Sequence, residues 1–197
     1  MIPLSVPNLC GNELKYVKRC IKTEWISTVG HYIPIFEKKV ASYLNSKYAV
    51  GCINGTSALQ VALRILEVGK GDEVIVPTLT FVATINSVIY NNAKPIFMDC
   101  DDFYNIDAEK TIKFIKNETV FRNNFTFNKK TRKRIPVILP VHLWGNAAKL
   151  EELVKVCKKR NISIVEDAAE SFGSKYINGN LKNRFTGTIG KVGCLSF

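Results

Sequence analysis

The pattern of apolar and polar positions changes character at Tyr48. Before it, apolar residues recur at helical spacing. After it, short apolar runs alternate with amphipathic stretches. Asn12–Thr23 reads as a helix, and Trp25–Gly30 as a loop with an aromatic anchor. Ile33, Phe36, Val40 and Leu44 predict an amphipathic helix over Ile33–Leu44, with Pro34 suited to its first turn. Residues 1–47 are therefore expected to form a helical arm, and residues 48–197 a separate α/β body.

Within that body, Tyr48–Ile53 is predicted as a strand, Ala58–Glu67 as a helix and Glu73–Val76 as a strand stopped by Pro77. A helix over Leu79–Tyr90, a strand over Lys94–Asp99 and a helix over Asp107–Ile115 follow. The polar, basic, Asn-rich stretch Lys116–Arg134 reads as a hairpin or exposed loop. Pro136–Val141 is a buried strand, Ala148–Arg160 an amphipathic crossover helix, and Ile162–Val165 a further buried strand. Ser174–Lys182 and Gly193–Phe197 are candidate short strands in a Gly-rich tail. Repeated β-then-α units predict a doubly wound, mostly parallel α/β sheet. Ligands of such sheets bind beyond the carboxyl ends of the strands, where Glu166 and Asp167 emerge. Strand alternation lets only one of the two face that crevice. Both could instead cap the following helix.

Composition narrows the class. The 197 residues are 46% hydrophobic and 23% charged, enough for one globular domain with or without arms. No apolar run has the length to span a bilayer, and Met1–Cys10 lacks the features of a secretory signal. Cys10, Cys20, Cys52, Cys100, Cys157 and Cys194 are scattered, without C-x-x-C pairs or histidines at zinc spacing, and read as reduced thiols of a cytoplasmic protein. The formal charge is +11, densest at Lys129–Arg134, just after Phe121, Phe125 and Phe127. A basic run beside aromatics could grip nucleic acid, but such a run is more often a solvated loop, and no nucleic-acid module surrounds it. A positive field suits phosphate-bearing small molecules better.

Three strand ends carry candidate chemistry. Asn54-Gly55-Thr56-Ser57 joins a strand to a helix. Free N–H groups, two hydroxyls and a glycine make either a phosphate cradle or an ordinary helix cap. It is neither a Walker A loop nor a dinucleotide fingerprint. Phe81, after Pro77-Thr78-Leu79-Thr80, could stack on a flat cofactor ring or belong to the core. Asp167 is the type of group that keeps a pyridinium nitrogen protonated. His142 at another strand end reads as a site residue or, with somewhat more weight, a structural histidine. A phosphate cradle, a stacking aromatic and a pyridinium-pairing carboxylate together describe a pocket for pyridoxal 5′-phosphate (PLP).

The chain resembles the DegT/DnrJ/StrS family of PLP-dependent sugar aminotransferases. The pieces that carry the resemblance are Trp25-Ile26-Ser27-Thr28-Val29-Gly30, Asn54-Gly55-Thr56-Ser57-Ala58-Leu59, Pro77-Thr78-Leu79-Thr80-Phe81-Val82-Ala83-Thr84, Pro140-Val141-His142-Leu143-Trp144-Gly145, Glu166-Asp167-Ala168-Ala169-Glu170-Ser171 and Gly193-Cys194-Leu195-Ser196-Phe197. They occur in family order over the whole chain. It looks closest to the branch that aminates nucleotide-linked 4-keto-6-deoxy sugars of the legionaminic-acid type, for surface polysaccharides.

The resemblance implies the large domain of the type I (aspartate-aminotransferase) fold over residues 48–197. It also implies PLP as cofactor and an amino donor, usually glutamate. By the same resemblance Gly55, Thr56 and Ser57 hold the cofactor phosphate, Ser196 reaches it, and Phe81 stacks on the ring. Asp167, the catalytic group, pairs with the ring nitrogen, and Glu170 lies beside the ring oxygen. A homodimer is implied for an intact family member. The family's Schiff-base lysine belongs just beyond Ser196-Phe197, and its C-terminal small domain is not in this chain. Lys175, Lys182 and Lys191 do not occupy the lysine's position, and Lys191 replaces a common acidic residue. The chain is thus expected to be the N-terminal portion of an aminotransferase, without efficient turnover by itself. The alternative is a catalytically dead protein that binds PLP or a sugar nucleotide.

Overall fold

The computed structural model of the protein describes residues 2–3 and 6–197. The chain divides into two compact units, Met1–Gly51 and Cys52–Phe197.

The first unit holds two helices, α1 (Glu13–Lys22) and α2 (Tyr32–Leu44). Glu13 opens α1 and Arg19 and Lys22 close it, an arrangement that complements the helix dipole. The apolar side chains Leu14, Val17 and Ile21 of α1 are exposed. Helix α2 buries Val40 and Leu44 and stops at Asn45, whose φ of 52° is left-handed. Asparagine tolerates that conformation better than most residues. Tyr16 packs on Tyr32 with ring centroids 4.8 Å apart.

The second unit begins with α3 (Gly55–Ile65), β1 (Asp72–Pro77), α4 (Val82–Tyr90), β2 (Lys94–Met98) and α5 (Ala108–Asn117). It continues with β3 (Thr119–Arg122), β4 (Phe125–Asn128), β5 (Arg134–Ile138), α6 (Glu151–Lys159), β6 (Ser163–Asp167) and β7 (Val192–Cys194). Strand β1 pairs in parallel with β2 on one side and β5 on the other, β5 with β6, and β6 with β7. The β3–β4 hairpin adds antiparallel to the opening of β5, through Phe127 opposite Arg134. The sheet is therefore mixed but mostly parallel, as the β-then-α spacing predicts.

Alternation along the buried strands sends side chains to two cores. Val74 and Val76 of β1, Val137 of β5 and Val165 of β6 pack with Leu59 and Leu63 of α3 and Val88 of α4. Ile75, Ile138 and Ile164 pack on the other face with Ile115 of α5 and Leu153 and Cys157 of α6. Each such side chain stabilises the fold by roughly 1.5–3 kcal/mol relative to exposure. Helices on both faces make the sheet a doubly wound layer.

Several boundaries differ from the sequence reading. Tyr48–Ile53 is not a strand. No ladder partner runs beside it among the described residues, and Tyr48, Val50 and Ile53 are 74%, 80% and 90% exposed. Apolar alternation alone cannot make a strand without an edge to pair with. Helix α3 starts at Gly55, three residues earlier than Ala58, because Asn54 caps it. Helix α4 starts at Val82 rather than Leu79, since Phe81 is still extended (φ −67°, ψ 145°). Ser174–Lys182 forms turns with one isolated bridge, Lys175 to Phe185, instead of a strand. The last strand is Val192–Cys194 and ends before Leu195.

Strand β7 depends on close backbone approach. A Cβ on Gly190 would lie 2.5 Å from the Ile164 carbonyl oxygen. A Cβ on Gly193 would collide with the backbone of Gly187. Gly193→Ala should therefore force β7 away from its neighbours and cost about 1–3 kcal/mol. Chemical denaturation of the variant and the parent chain measures this, and equal midpoints would contradict it.

Candidate functional site

Residues 166 and 167 end β6 and point in opposite directions, as strand geometry requires. Glu166 is fully buried. Its Oε2 accepts hydrogen bonds from His142 Nε2 (2.8 Å) and the Gly187 N–H (2.9 Å). Its Oε1 accepts from the N–H groups of Ile189 and Gly190, both at 2.6 Å. His142 Nδ1 in turn accepts the Ala148 N–H at 3.0 Å, so Nε2 carries the ring proton and donates it to Glu166. Every bond of this carboxylate is spent on holding the chain together. Glu166 and the fully buried His142 are structural, and His142 is accounted for without a ligand.

Asp167 faces the α3/α4 side. Its Oδ2 accepts a 2.7 Å hydrogen bond from the Thr84 hydroxyl on the first turn of α4. Thr84 Oγ1 also lies 2.7 Å from Thr80 Oγ1. Asp167 Oδ1 accepts the Ala169 N–H at 3.3 Å. Burial raises the Asp167 pKa above the usual carboxylate value, and the bonds from Thr84 and Ala169 and the nearby His142 oppose that rise. No cationic side chain forms an ion pair with Asp167 among the described residues. Its charge thus calls for a positive partner at this strand end.

The other expected residues lie at neighbouring strand ends. Phe81 follows β1 and caps α4, with its ring 68% exposed rather than in the core. The Phe81 carbonyl accepts the Thr84 N–H, which ties the ring's backbone to the helix that supports Asp167. At the start of α3, Asn54 Oδ1 accepts the Ser57 N–H at 2.8 Å. The N–H groups of Gly55 and Thr56 have no acceptor among the described residues. The segment is a capped helix, with two backbone donors left at its positive end.

Ser196, just past β7, closes over the same turn. A Cβ on Gly55 would lie 3.4 Å from Ser196 Cβ and 3.6 Å from Ser196 Oγ. A side chain there would fill the gap between the helix start and the serine hydroxyl. The turn thus gathers two N–H donors and the hydroxyls of Thr56, Ser57 and Ser196, a donor set suited to an anion such as a phosphate. A phosphate at one end and a buried carboxylate at the other fit PLP, whose ring nitrogen is basic.

Glu170 is exposed and its Oε2 accepts the Trp144 N–H at 2.7 Å. Trp144 adopts a left-handed backbone (φ 51°) in the 3-10 turn Leu143–Gly145. Sequence reasoning singled out Phe81 but passed over Thr80 and Thr84. Thr80 precedes α4 and Thr84 lies in its first turn, so their pairing follows from the fold and not from helical spacing. Burial pushes the thiols of Cys157 and Cys194 up to about 12, so neither is a nucleophile at neutral pH.

Residues 7–197 match the DegT/DnrJ/EryC1/StrS aminotransferase family. The chain is 39% identical over 196 residues to GDP-perosamine synthase of Escherichia coli O157:H7, covering 100% of this chain and 48% of that protein. It is 39% identical over 162 residues to a UDP-N-acetyl-3-dehydro-alpha-D-glucosamine 3-aminotransferase of Acidithiobacillus ferrooxidans, covering 82% of this chain and 38% of the relative. Its fold is similar to that of the Streptococcus pneumoniae protein Spr1654 in its PLP form, with a TM-score of 0.82 and 28% identity over 100% of this chain and 48% of the other. The chain spans about half the length of the curated relatives it matches.

Replacing Glu166 tests the structural half of this description. Glu166→Ala strands His142 and three buried N–H groups and should cost about 3–5 kcal/mol, read as a lowered denaturation midpoint. A loss below about 1 kcal/mol would contradict the role assigned to Glu166. The chain belongs to the DegT/DnrJ/EryC1/StrS aminotransferase family, whose members are PLP-dependent.

Proposed function

We propose that this chain carries the cofactor end of a PLP-dependent aminotransferase that acts on a nucleotide-linked keto sugar. The observation that carries the reading is Asp167: a buried carboxylate at a strand end, held by Thr84, facing the same side as the α3 start. Gly55 and Thr56 donate backbone N–H groups to the cofactor phosphate, and Thr56, Ser57 and Ser196 add hydroxyls. Phe81 covers a face of the ring and keeps water from it. Asp167 holds a proton on the ring nitrogen, while Thr84 fixes the carboxylate so that one oxygen remains directed to that proton. Glu170, kept in place by the Trp144 N–H, lies beside the ring oxygen. When bound, PLP supplies an electron sink through which an amino group passes from a donor such as glutamate to a sugar ketone.

The names of the relatives support the substrate class. One is a GDP-perosamine synthase and another acts on a UDP-linked dehydro sugar. A sugar linked to a nucleoside diphosphate is common to both names. The reading includes a homodimer of the whole enzyme and a place in the cytoplasm. Among the described residues no helix is long and apolar enough to cross a membrane.

Two experiments test the reading. PLP added to the 197-residue chain should bind and raise its thermal midpoint, and Asp167→Asn should weaken binding by roughly 10- to 150-fold, the worth of a charge-assisted hydrogen bond. Unchanged affinity in the variant would overturn the assignment. Borohydride added to the complex should leave the protein mass unchanged, and an increment on Lys175, Lys182 or Lys191 would contradict the expectation that none of these forms the cofactor bond.

Without cofactor the sign reverses. The folded-state pKa of Asp167 is raised, so the proton it holds favours the fold at low pH. That contribution is lost as pH rises through the folded pKa. Asp167→Asn should then be at least as stable as the parent at neutral pH, with the gap closing below the unfolded carboxylate range near pH 4. A variant less stable than the parent at pH 7, under otherwise equal conditions, would contradict this.

A further inference from the structure

The positive charge of the chain is concentrated in one lobe. Residues 108–134 and 149–160 carry fourteen of the 28 Lys and Arg but four of the 17 Asp and Glu, a net +10 of the chain's +11. These segments are α5, the β3–β4 hairpin with its following turn, and α6. Hydrogen bonds join them into one surface. Lys129 Nζ donates to the Asn117 carbonyl at the end of α5 (2.6 Å), and the Thr126 hydroxyl donates to the Arg160 carbonyl after α6. Asn161 Nδ2 donates to the Asn124 carbonyl at the hairpin tip (2.8 Å).

Apart from Lys110 and Lys149, which reach Asp99 and Asp101 beyond the carboxyl end of β2, the lobe lies at the opposite end of the sheet from the candidate site. It gathers where α5 and α6 end and β5 and β6 begin, whereas Asp167 closes the carboxyl end of β6. Lys110, Arg134, Lys149 and Lys155 are tied to Asp99, Asp72, Asp101 and Glu152. The remaining cations of the lobe form no ion pair among the described residues. Some of this charge complements the helix dipoles, as Lys116 does in the last turn of α5 and Lys158 and Lys159 do in α6. Lys129 does the same through the Asn117 carbonyl, whereas Lys130, Arg132 and Lys133 have no such duty.

The hairpin adds apolar surface among the cations. Val120 and Phe127, and Arg122 and Phe125, are opposite one another and share one hairpin face, the reverse of the face through which Thr119 and Thr126 reach α5 and the end of α6. Val120 and Phe125 are exposed, and the Arg122 guanidinium lies over the Phe127 ring, 4.8 Å from its centroid. Lysine outnumbers arginine ten to four in the lobe. A lysine is a compact point charge that responds to a diffuse potential, while arginine is the residue of bidentate phosphate and base contacts. No helix N-terminus faces outward here to grip a nucleic-acid backbone, since α5 and α6 arrive by their C-termini.

We propose that this lobe is a docking surface for an anionic membrane. Lysines on three elements meet the surface potential of acidic lipid headgroups. The chain then rests on the bilayer with the carboxyl ends of its strands turned away from it. The proposal does not depend on the cofactor reading, because no residue of the candidate site takes part.

The test uses the 197-residue chain and vesicles of phosphatidylcholine alone or with about one third phosphatidylglycerol. Sedimentation should carry the protein down with the acidic vesicles only, and 0.5 M salt should release it, at roughly twice the screening of physiological buffer. Changing Lys116, Lys130, Lys158 and Lys159 to Gln should reduce the bound fraction at least tenfold by the per-cation scale of such surfaces. A control changes Lys15, Lys18, Lys38 and Lys39 to Gln for the same loss of net charge and should keep binding within about twofold. Circular dichroism establishes that both variants are folded. Equal binding to the two vesicle types, or equal loss in the two variants, would overturn the proposal. So would displacement from acidic vesicles by a duplex oligonucleotide at equal phosphate concentration, which would make the surface a nucleic-acid one.

Discussion

Most of the second unit is arranged around the carboxylate of Glu166. A fully buried carboxylate is costly unless its oxygens are satisfied. Here four donors from two separate segments converge on it: His142, and Gly187, Ile189 and Gly190 of the loop before β7. That requirement fixes where the chain leaving β5 passes, through His142 and Ala148. It also brings the loop before β7 against β6, so that Gly193 can pair opposite Glu166. The glycines at 187, 190 and 193 follow from the same constraint. A side chain on Gly190 or Gly193 would meet backbone where the loop is drawn in.

The carboxylate next in sequence has the contrary environment. Because alternate residues of a strand face opposite ways, fixing Glu166 on one side places Asp167 on the other. Asp167 receives one hydroxyl and one N–H and no cation, so part of its charge is left for a ligand. One strand end thus holds a structural acid and, in the proposed reading, a functional one. The Thr80–Thr84 pair, the Phe81 backbone and Asp167 form one connected support, which links the two groups proposed to cover and to charge a cofactor ring. Evolved sites accept such an unbalanced buried charge at a cost in stability of the empty protein.

Much of this was legible in the sequence, for identifiable reasons. The parallel strands announced themselves through runs such as Ile162–Val165 and Pro136–Val141, which are buried on both faces and therefore continuously apolar. Asn54-Gly55-Thr56-Ser57 was readable because capping chemistry and anion binding ask for the same residues. Tyr48–Ile53 misled because a short apolar run reads as a strand whether or not an edge is there to pair with it, and none pairs with it among the described residues. Ser174–Lys182 misled because turns in a Gly-rich tail can mimic alternation. The separate duties of Glu166 and Asp167 could not be assigned from sequence. The donors that distinguish them come from residues 84, 142 and 187–190, and their convergence is a property of the fold. The basic run at Lys129–Arg134 was visible, but its joining with the ends of α5 and α6 into one charged lobe was not.

The central claim is that Asp167, and not its neighbour, sets the charge of a bound pyridine ring. The most direct measurement is the nitrogen-15 chemical shift of ring-labelled PLP bound to the 197-residue chain, followed through neutral to mildly alkaline pH. The account predicts a protonated ring nitrogen that stays protonated across that range in the parent chain and loses its proton in Asp167→Asn. A neutral ring nitrogen in the parent complex, or a protonated one in the variant, would contradict it.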